Sequence, residues 1–458
     1  MRGKLNGDIY RIRTKILEQP ITKTLFWLAW PMIIANLVNM SYNLIDAFWL
    51  GKLGKEAFGA PTVSWPLIML FYSIGMGYSF AGISLIAQYT GAGKLDKASR
   101  SAGNMLFFMF ITAITISVIG YTFSPTILAL MNIPSDVIGK ATNYIRIIFI
   151  GIPFTFIGFA FIAIANSLGD TRTPTIINII SSTINLILDP ILIFGLFSLP
   201  ALGVVGAALA TIFSRSLISI IGVYLLARGY KGIKLGLKDL VIEKWWLKKI
   251  FHIGTPMVLQ QTANSLGFVI MTSIVSFFGS TAIAAYGVAI RIIDVMQAFT
   301  WGLQRATSIM VGQNIGAQQY HRAKKIAFKS MIIILSFLTI GSIIIYLTRD
   351  LTVGVFIAEK DVIIEGTRLL SIFVWSIPFF GLFFIANGVA AGSGHTWFMS
   401  MLGIIRLWVF RIGFSYFLAF ILGMGVVGVW IAMTLSNVVA GLIAIIWLLR
   451  GTWARRVI

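Results

Sequence analysis

Apolar runs, each broken by a few polar, basic or glycine-rich residues, follow one another along almost the whole chain. Twelve can be marked, at about 24–50, 61–88, 101–127, 141–168, 174–197, 202–227, 248–278, 282–312, 328–347, 362–391, 397–421 and 424–449. Each meets the roughly 20 apolar residues that a helix needs to cross the hydrocarbon core of a bilayer. A large soluble protein can bury a few such helices but not a dozen. The pattern predicts an all-α polytopic membrane protein of twelve transmembrane helices.

The runs form two sets of six. At a constant shift of 225 residues, Pro31-Met32 falls on Pro256-Met257 and Asn39 on Asn264. Gln88, Gly91 and Ala92 of AQYTGAG fall on Gln313, Gly316 and Ala317 of GQNIGAQ. Ile152-Pro153-Phe154 falls on Ile377-Pro378-Phe379, and Gly169 on Gly394. Later, LGVVGAALA (202–210) matches MGVVGVWIA (424–432) after a slip of three. Such agreement at one offset marks an internal repeat. An even number of spans per copy gives both copies the same orientation, related by a pseudo-two-fold along the membrane normal. The expected units are a tail (1–23), a first bundle (24–227), a linker (228–247), a second bundle (248–449) and a second tail (450–458).

Composition supports this reading. The chain is 58% hydrophobic and 11% charged, with a mean hydropathy of +0.91. Its formal charge of +21 invites a nucleic-acid reading, which the placement of the charges removes. With both termini cytoplasmic, the inner segments hold 24 of the 36 Lys and Arg once Lys248, Lys249 and Lys329 at the span edges are included, as the positive-inside rule requires. The first tail is expected to carry an amphipathic stretch lying on the lipid surface. The KWW of the linker is expected to be an interfacial anchor. The chain has no cysteine, and no phosphate-binding loop, acyl-transfer elbow or HExxH, so enzymatic activity has no positive support. No cofactor is expected. A membrane-embedded monomer working against lipid is the expected form.

Polar residues inside the spans carry the candidate chemistry. Span 1 places Asn36, Asn39, Asn43 and Asp46 on one helical face, with Tyr42 near the stripe. Span 5 places Asn178, Ser182, Asn185 and Asp189 likewise. Carboxamides and carboxylates are costly against lipid, so both stripes should face the bundle interior. A buried carboxylate is expensive unless protonated, hydrogen-bonded or bound to a cation. Asp46, Asp189 and Asn185 are therefore the expected coupling site, for H⁺ or for Na⁺ if their oxygens converge. Pro31 is the expected bending point of span 1, since proline removes one helical hydrogen bond. The remaining polar groups, Asn36, Asn39, Asn43, Asn178 and Ser182, are candidates for a substrate cleft. Tyr42 and Tyr144 join them, where ring faces would favour a flat cationic ligand. Asp46 is matched in the second copy by Met271, and span 11 carries Arg406 and Arg411 where span 5 carries its acid. Coupling is thus expected in the first bundle alone. Arg291 and Asp294 are expected to form an internal ion pair. Arg146 and Arg215 are expected to stabilise the first bundle or to snorkel toward a surface.

In WPMIIANLVNMSYNLIDAFWLGKLG, AQYTGAG, IANSLGDTRTP, NLILDP and LGVVGAALAT the chain resembles the multidrug and toxic compound extrusion transporters over almost its full length. It looks most like the prokaryotic branch that includes the DNA-damage-inducible type and its archaeal relatives. The resemblance implies export of organic cations and amphipathic drugs across the cell membrane by alternating access, driven by inward H⁺ or Na⁺. By the same resemblance Asp46, Asn185 and Asp189 form the cation site, Pro31 forms the bend, and the threonine of GAALAT, Thr211, joins the site. Some members use an acid in the seventh span; this chain has Gln260, Gln261 and Asn264 there. A flippase for a lipid-linked saccharide or another lipid is the alternative, kept open by the arginines at 146, 215, 291, 305, 406 and 411.

Overall fold

A computed structural model describes residues 2–53, 55–131, 135–357 and 359–458. The side chain of Asn43 lies outside the described residues. After α1 (Arg2–Glu18) come α2 (Ile21–Lys52), α3 (Lys55–Gly91), α4 (Leu95–Leu130), α5 (Ser135–Ser167), α6 (Arg172–Phe194) and α7 (Val204–Arg228). The second set is α8 (Lys244–Ser276), α9 (Ser280–Gly316), α10 (Tyr320–Phe356), α11 (Lys360–Ser393), α12 (Thr396–Ile421) and α13 (Gly425–Arg450). Among the described residues twelve helices, α2 to α13, are long and apolar enough to span a membrane. They coincide with the twelve apolar runs and extend most of them by a turn at the polar ends. The repeat reappears in three dimensions: α3 and α9 begin and end at positions related by the same shift.

Each set of six packs into a bundle. The first is held by α5, against which α3, α4 and α7 lie, and the second by α9 and α11. The bundles meet where α2 packs on α9 and α3 on α8. Exchanging the two copies turns one of these contacts into the other, so the interface itself obeys the repeat.

The basic end of the interface is closed by the AQYTGAG and GQNIGAQ segments. A Cβ on Gly91 would overlap the carbonyl of Gln313, and one on Gly316 would overlap that of Gln88. Only glycine lets the two backbones come so close. Gln88 Nε2 donates to the carbonyls of Gly392 at 3.1 Å and Ser393 at 3.0 Å. Gln313 Nε2 donates to that of Ser167 at 2.8 Å. The two termini lock this seam from below. Arg13 donates to the Gly91 carbonyl at 3.0 and 2.8 Å, while Arg456 donates to that of Gly316.

Several expectations are corrected here. The apolar residues of α1 do not lie on lipid: Ile9, Ile16 and Leu17 are buried against protein, because α1 packs beneath α9, α2 and the end of α3 at Gly91. Of the KWW pair only Trp245 reaches the surface. Trp246 is fully buried and donates to Ser101 Oγ at 2.9 Å. Asp170 of IANSLGDTRTP proves to be a fold residue. It accepts from the amides of Arg172 and Thr173 at the start of α6 and from Tyr230 of the linker at 2.8 Å. Burial and this carboxylate push the Tyr230 phenol up. The expected bend at Pro31 is not overturned: Pro31 lies inside α2, as Pro190 lies inside α6, without ending the helix. By contrast α12 is not a plain α-helix: Arg406–Gly413 is π-helical.

Since the chain has no cysteine, one thiol introduced at the fully buried Ser393 is an unambiguous probe of the seam. Ser393→Cys alone should resist a membrane-impermeant maleimide. Adding Gly316→Val should make it reactive and lower the melting midpoint. A thiol equally protected in both backgrounds would refute the seam's dependence on glycine.

Candidate functional site

The polar stripes of α2 and α6 face each other across a direct helix contact. Their ends away from the basic seam bring Asp46 and Asp189 within hydrogen-bonding reach of one another. Asp189 is fully buried and Asn185 is 2% exposed. Asn185 Nδ2 leans on Asp189 Oδ1 at 3.5 Å. Asp46 Oδ1, Asp189 Oδ2 and Asn185 Oδ1 are buried with no donor. Tyr42 and Thr211 touch through their hydroxyls at 3.3 Å beside the pair. Tyr144 and Arg215 lie in the same cluster. Arg215 sits over the ring of Tyr72, 5.1 Å from its centroid, and forms no ion pair with either aspartate among the described residues.

The chemistry follows from this count of donors and acceptors. Ionised carboxylates only accept hydrogen bonds, and among the described residues the acceptors here outnumber the donors. Two carboxylates in contact also repel, and they titrate as a unit. A proton shared between them, or a hard cation held by their oxygens, meets both demands. The set is oxygen-only, which does not suit a soft, thiophilic metal.

A separate cavity of about 730 Å³ lies between the bundles. Asn36, Asn39 and Asn178 line it from the first bundle, and Gln260, Gln261 and Asn264 from the second. Asn36 Nδ2 crosses the interface to the Ala298 carbonyl at 3.3 Å. On α9 the wall runs from Tyr286 to Arg305 and stops short of the Gly316 seam. The cavity therefore reaches away from the basic end. Three expected cleft residues stand outside its wall: Tyr42 and Tyr144 are beside the acid pair, and Ser182 donates to Asn178 Oδ1 at 3.4 Å. The α2 stripe thus has two ends with different surroundings, cavity at Asn36 and Asn39, acid pair at Asp46.

A model of the MatE family matches residues 31–191 and 256–417, one match to each bundle. The chain belongs to the MatE family. Members of this family are membrane transporters associated with multidrug efflux, and not enzymes. The chain is similar to the probable multidrug resistance protein YoeA of Bacillus subtilis, 30% identical over 88% of each chain. It is also similar to an FAD transporter of Shewanella oneidensis, 28% identical over 72% of this chain and 73% of that one. A solved MOP superfamily transporter from Pyrococcus furiosus shares the fold, with a TM-score of 0.89 and 23% identity over 96% of this chain and 98% of that one.

Two groups escape a reading by helical period. Tyr72 gives no signal, since its stretch of α3 reads as plain apolar span. Arg406 and Arg411 are five apart, which in an α-helix points them about 140° from each other. The i→i+5 bonding of the π-helical stretch brings both to one face. Among the described residues Arg291 and Asp294 form no ion pair, contrary to expectation: Asp294 accepts from Gln297 Nε2 at 3.3 Å.

Asp189→Asn supplies a donor where acceptors are in surplus. It should stabilise the ion-free protein, by about 1–3 kcal/mol, seen as a raised melting midpoint in sodium-free buffer at alkaline pH. A lower midpoint than wild type would show that the surplus carries no cost.

Proposed function

We propose that the protein is a cation-coupled antiporter that exports amphipathic organic solutes, organic cations among them, by alternating access. The observation that carries this reading is the convergence of three donorless buried oxygens on a carboxyl pair in one bundle only. Asp46, Asp189 and Asn185 take up H⁺ or Na⁺, with Thr211 and Tyr42 as neighbouring hydroxyls. Filling the site removes the charge repulsion between α2 and α6 and lets them repack. Pro31 lies about four turns before Asp46 and leaves the Trp27 carbonyl without its helical partner. It is the bending point through which a change at Asp46 reaches Asn36 and Asn39 on the cavity wall. The two bundles, 24–227 and 248–449, rock about their interface, joined by the 228–247 linker.

The basic end, with both termini, faces the cytoplasm of a cell-membrane protein by the positive-inside rule. The glycine seam then closes the inner side, and the cavity opens outward. Relatives named as multidrug resistance proteins support the export of varied solutes, and the one named as an FAD transporter widens the range that this scaffold serves. The first-bundle motifs support placement in the prokaryotic branch with archaeal members. The cavity arginines favour one second reading, movement of a lipid-linked saccharide or another lipid. Transport of a labelled lipid-linked substrate against ethidium efflux separates the two.

The direct test is cationic-dye efflux from proteoliposomes under a pH gradient or a sodium gradient imposed separately. One gradient should drive wild-type efflux, and Asp46→Asn should abolish that response. Asp189→Asn should weaken it. Gradient-driven efflux unchanged in Asp46→Asn would remove the coupling role.

A further inference from the structure

The wall of the central cavity carries a charge that the acid pair does not use. Arg305, Arg406 and Arg411 line it against one carboxylate, Asp294. None of the three arginines forms an ion pair among the described residues. Arg406, 5% exposed, donates from Nη1 to Asn437 Oδ1 at 3.0 Å. Arg411 donates from Nη2 to the same oxygen at 2.8 Å, and from Nε to Ser436 Oγ at 3.1 Å. Asn437 is held in this orientation by its Nδ2, which donates to Ser376 Oγ at 3.1 Å. The Nε of Arg406 is buried with no acceptor. Arg305 lies 5.1 Å from the ring centroid of Phe80 and has no hydrogen-bond acceptor among the described residues.

Two guanidinium groups converging on one neutral oxygen are poorly compensated in an apolar setting. Tying α12 to α13 does not require them, because a neutral or apolar pair does that at lower desolvation cost. What the arrangement suits is an oxyanion. Guanidinium forks bind phosphate, sulfonate and carboxylate through paired N–H groups, and the Arg406 Nε stands ready as a donor. The surroundings describe the rest of the ligand. Arg406 lies 5.3 and 5.1 Å from the ring centroids of Phe380 and Phe383, and Phe384 and Trp301 continue the wall. The π-helical turn that unites Arg406 and Arg411 is a departure from regular helix of the kind often found at functional sites.

We propose that Arg305, Arg406 and Arg411 form an anion-binding face of the cavity. It takes the oxyanion of an amphipathic solute, a phosphate, sulfonate or carboxylate on a flat apolar body. This rests on reading the central cavity as the substrate site. The coupling ion and the substrate anion then have separate seats, one in each bundle, and neither has to displace the other from its ligands.

The test is equilibrium binding to the purified full chain in a non-ionic detergent, by calorimetry, with three probes of similar ring size. These are 1-naphthyl phosphate, neutral 1-naphthalenesulfonamide and 1-naphthylmethylammonium. The phosphate should bind at least about tenfold more tightly than either of the others, the order expected for hydrogen bonds to charged groups. The double variant Arg406→Gln, Arg411→Gln should lose that factor, and Arg406→Lys, Arg411→Lys should keep part of it. Equal or tighter binding of the ammonium probe, no measurable binding of the phosphate, or an unchanged phosphate affinity in the Gln variant would each overturn the proposal. If the Gln variant does not fold, the wild-type ranking of the three probes decides alone. Competition identifies the source of the anion. Displacement of the naphthyl phosphate by dioctanoyl phosphatidic acid supports a lipid headgroup at this face, and displacement by phenyl phosphate alone supports a soluble one. No gradient is present, so a failure of cation coupling leaves the assay intact, while a win for the ammonium probe sinks the anion face alone.

Discussion

Two carboxyl groups in contact inside an apolar helix bundle cannot both keep their charge without a partner. Asp46 and Asp189 are in that position, and among the described residues no donor reaches Asp46 Oδ1 or Asp189 Oδ2. Much of the first bundle is arranged around this constraint. The α2 and α6 stripes face inward because their oxygens cannot face lipid. Tyr42 and Thr211 pack beside the pair, and Asn185 gives one long hydrogen bond to Asp189 Oδ1, which leaves Asp189 Oδ2 and Asp46 Oδ1 without a donor among the described residues. A proton or cation that comes and goes would satisfy the site, which is why the proposed coupling role falls on this pair.

The internal repeat explains how one bundle could specialise. The scaffold is held in common: Gly91 and Gly316, Gln88 and Gln313, Gly169 and Gly394 occupy equivalent places at the closed seam. The terminal segments repeat the pattern. Ile12 and Ile16 of α1 close on Gly169, as Val457 of the C-terminal segment closes on Gly394. Away from the seam the copies part. Asp46 is answered by Met271, and the acid-bearing α6 by the arginine-bearing α12. The closed end thus preserves the two-fold relation between the bundles. The membrane interior is where their chemistry differs.

The fold was legible because apolar run length and the 225-residue repeat are one-dimensional signals of three-dimensional facts. The acid pair was legible for the same reason, since steps of three and four put its residues on inward faces. What stayed hidden depends on the third dimension. Tyr42 and Tyr144 look like cleft residues by composition, yet they turn toward the aspartates. The buried Trp246 and the apolar face of α1 look like membrane anchors until their protein partners are known. A helical wheel separates Arg406 from Arg411, and only the π-helical backbone unites them. Arg215 reads as a stabilising or snorkelling group, and its place beside Tyr72 follows from packing that no local pattern encodes.

The central claim is that the Asp46–Asp189 pair holds one exchangeable proton or cation. Infrared difference spectroscopy on the membrane-reconstituted protein observes it directly. At neutral pH without sodium, the account predicts the carbonyl stretch of a protonated carboxylic acid that both Asp46→Asn and Asp189→Asn remove. Raising the pH, or adding sodium if sodium is the coupling ion, should abolish the same band. If neither variant changes the carboxylic-acid region, and neither pH nor sodium does so in wild type, the pair is not the exchangeable site and the account is contradicted.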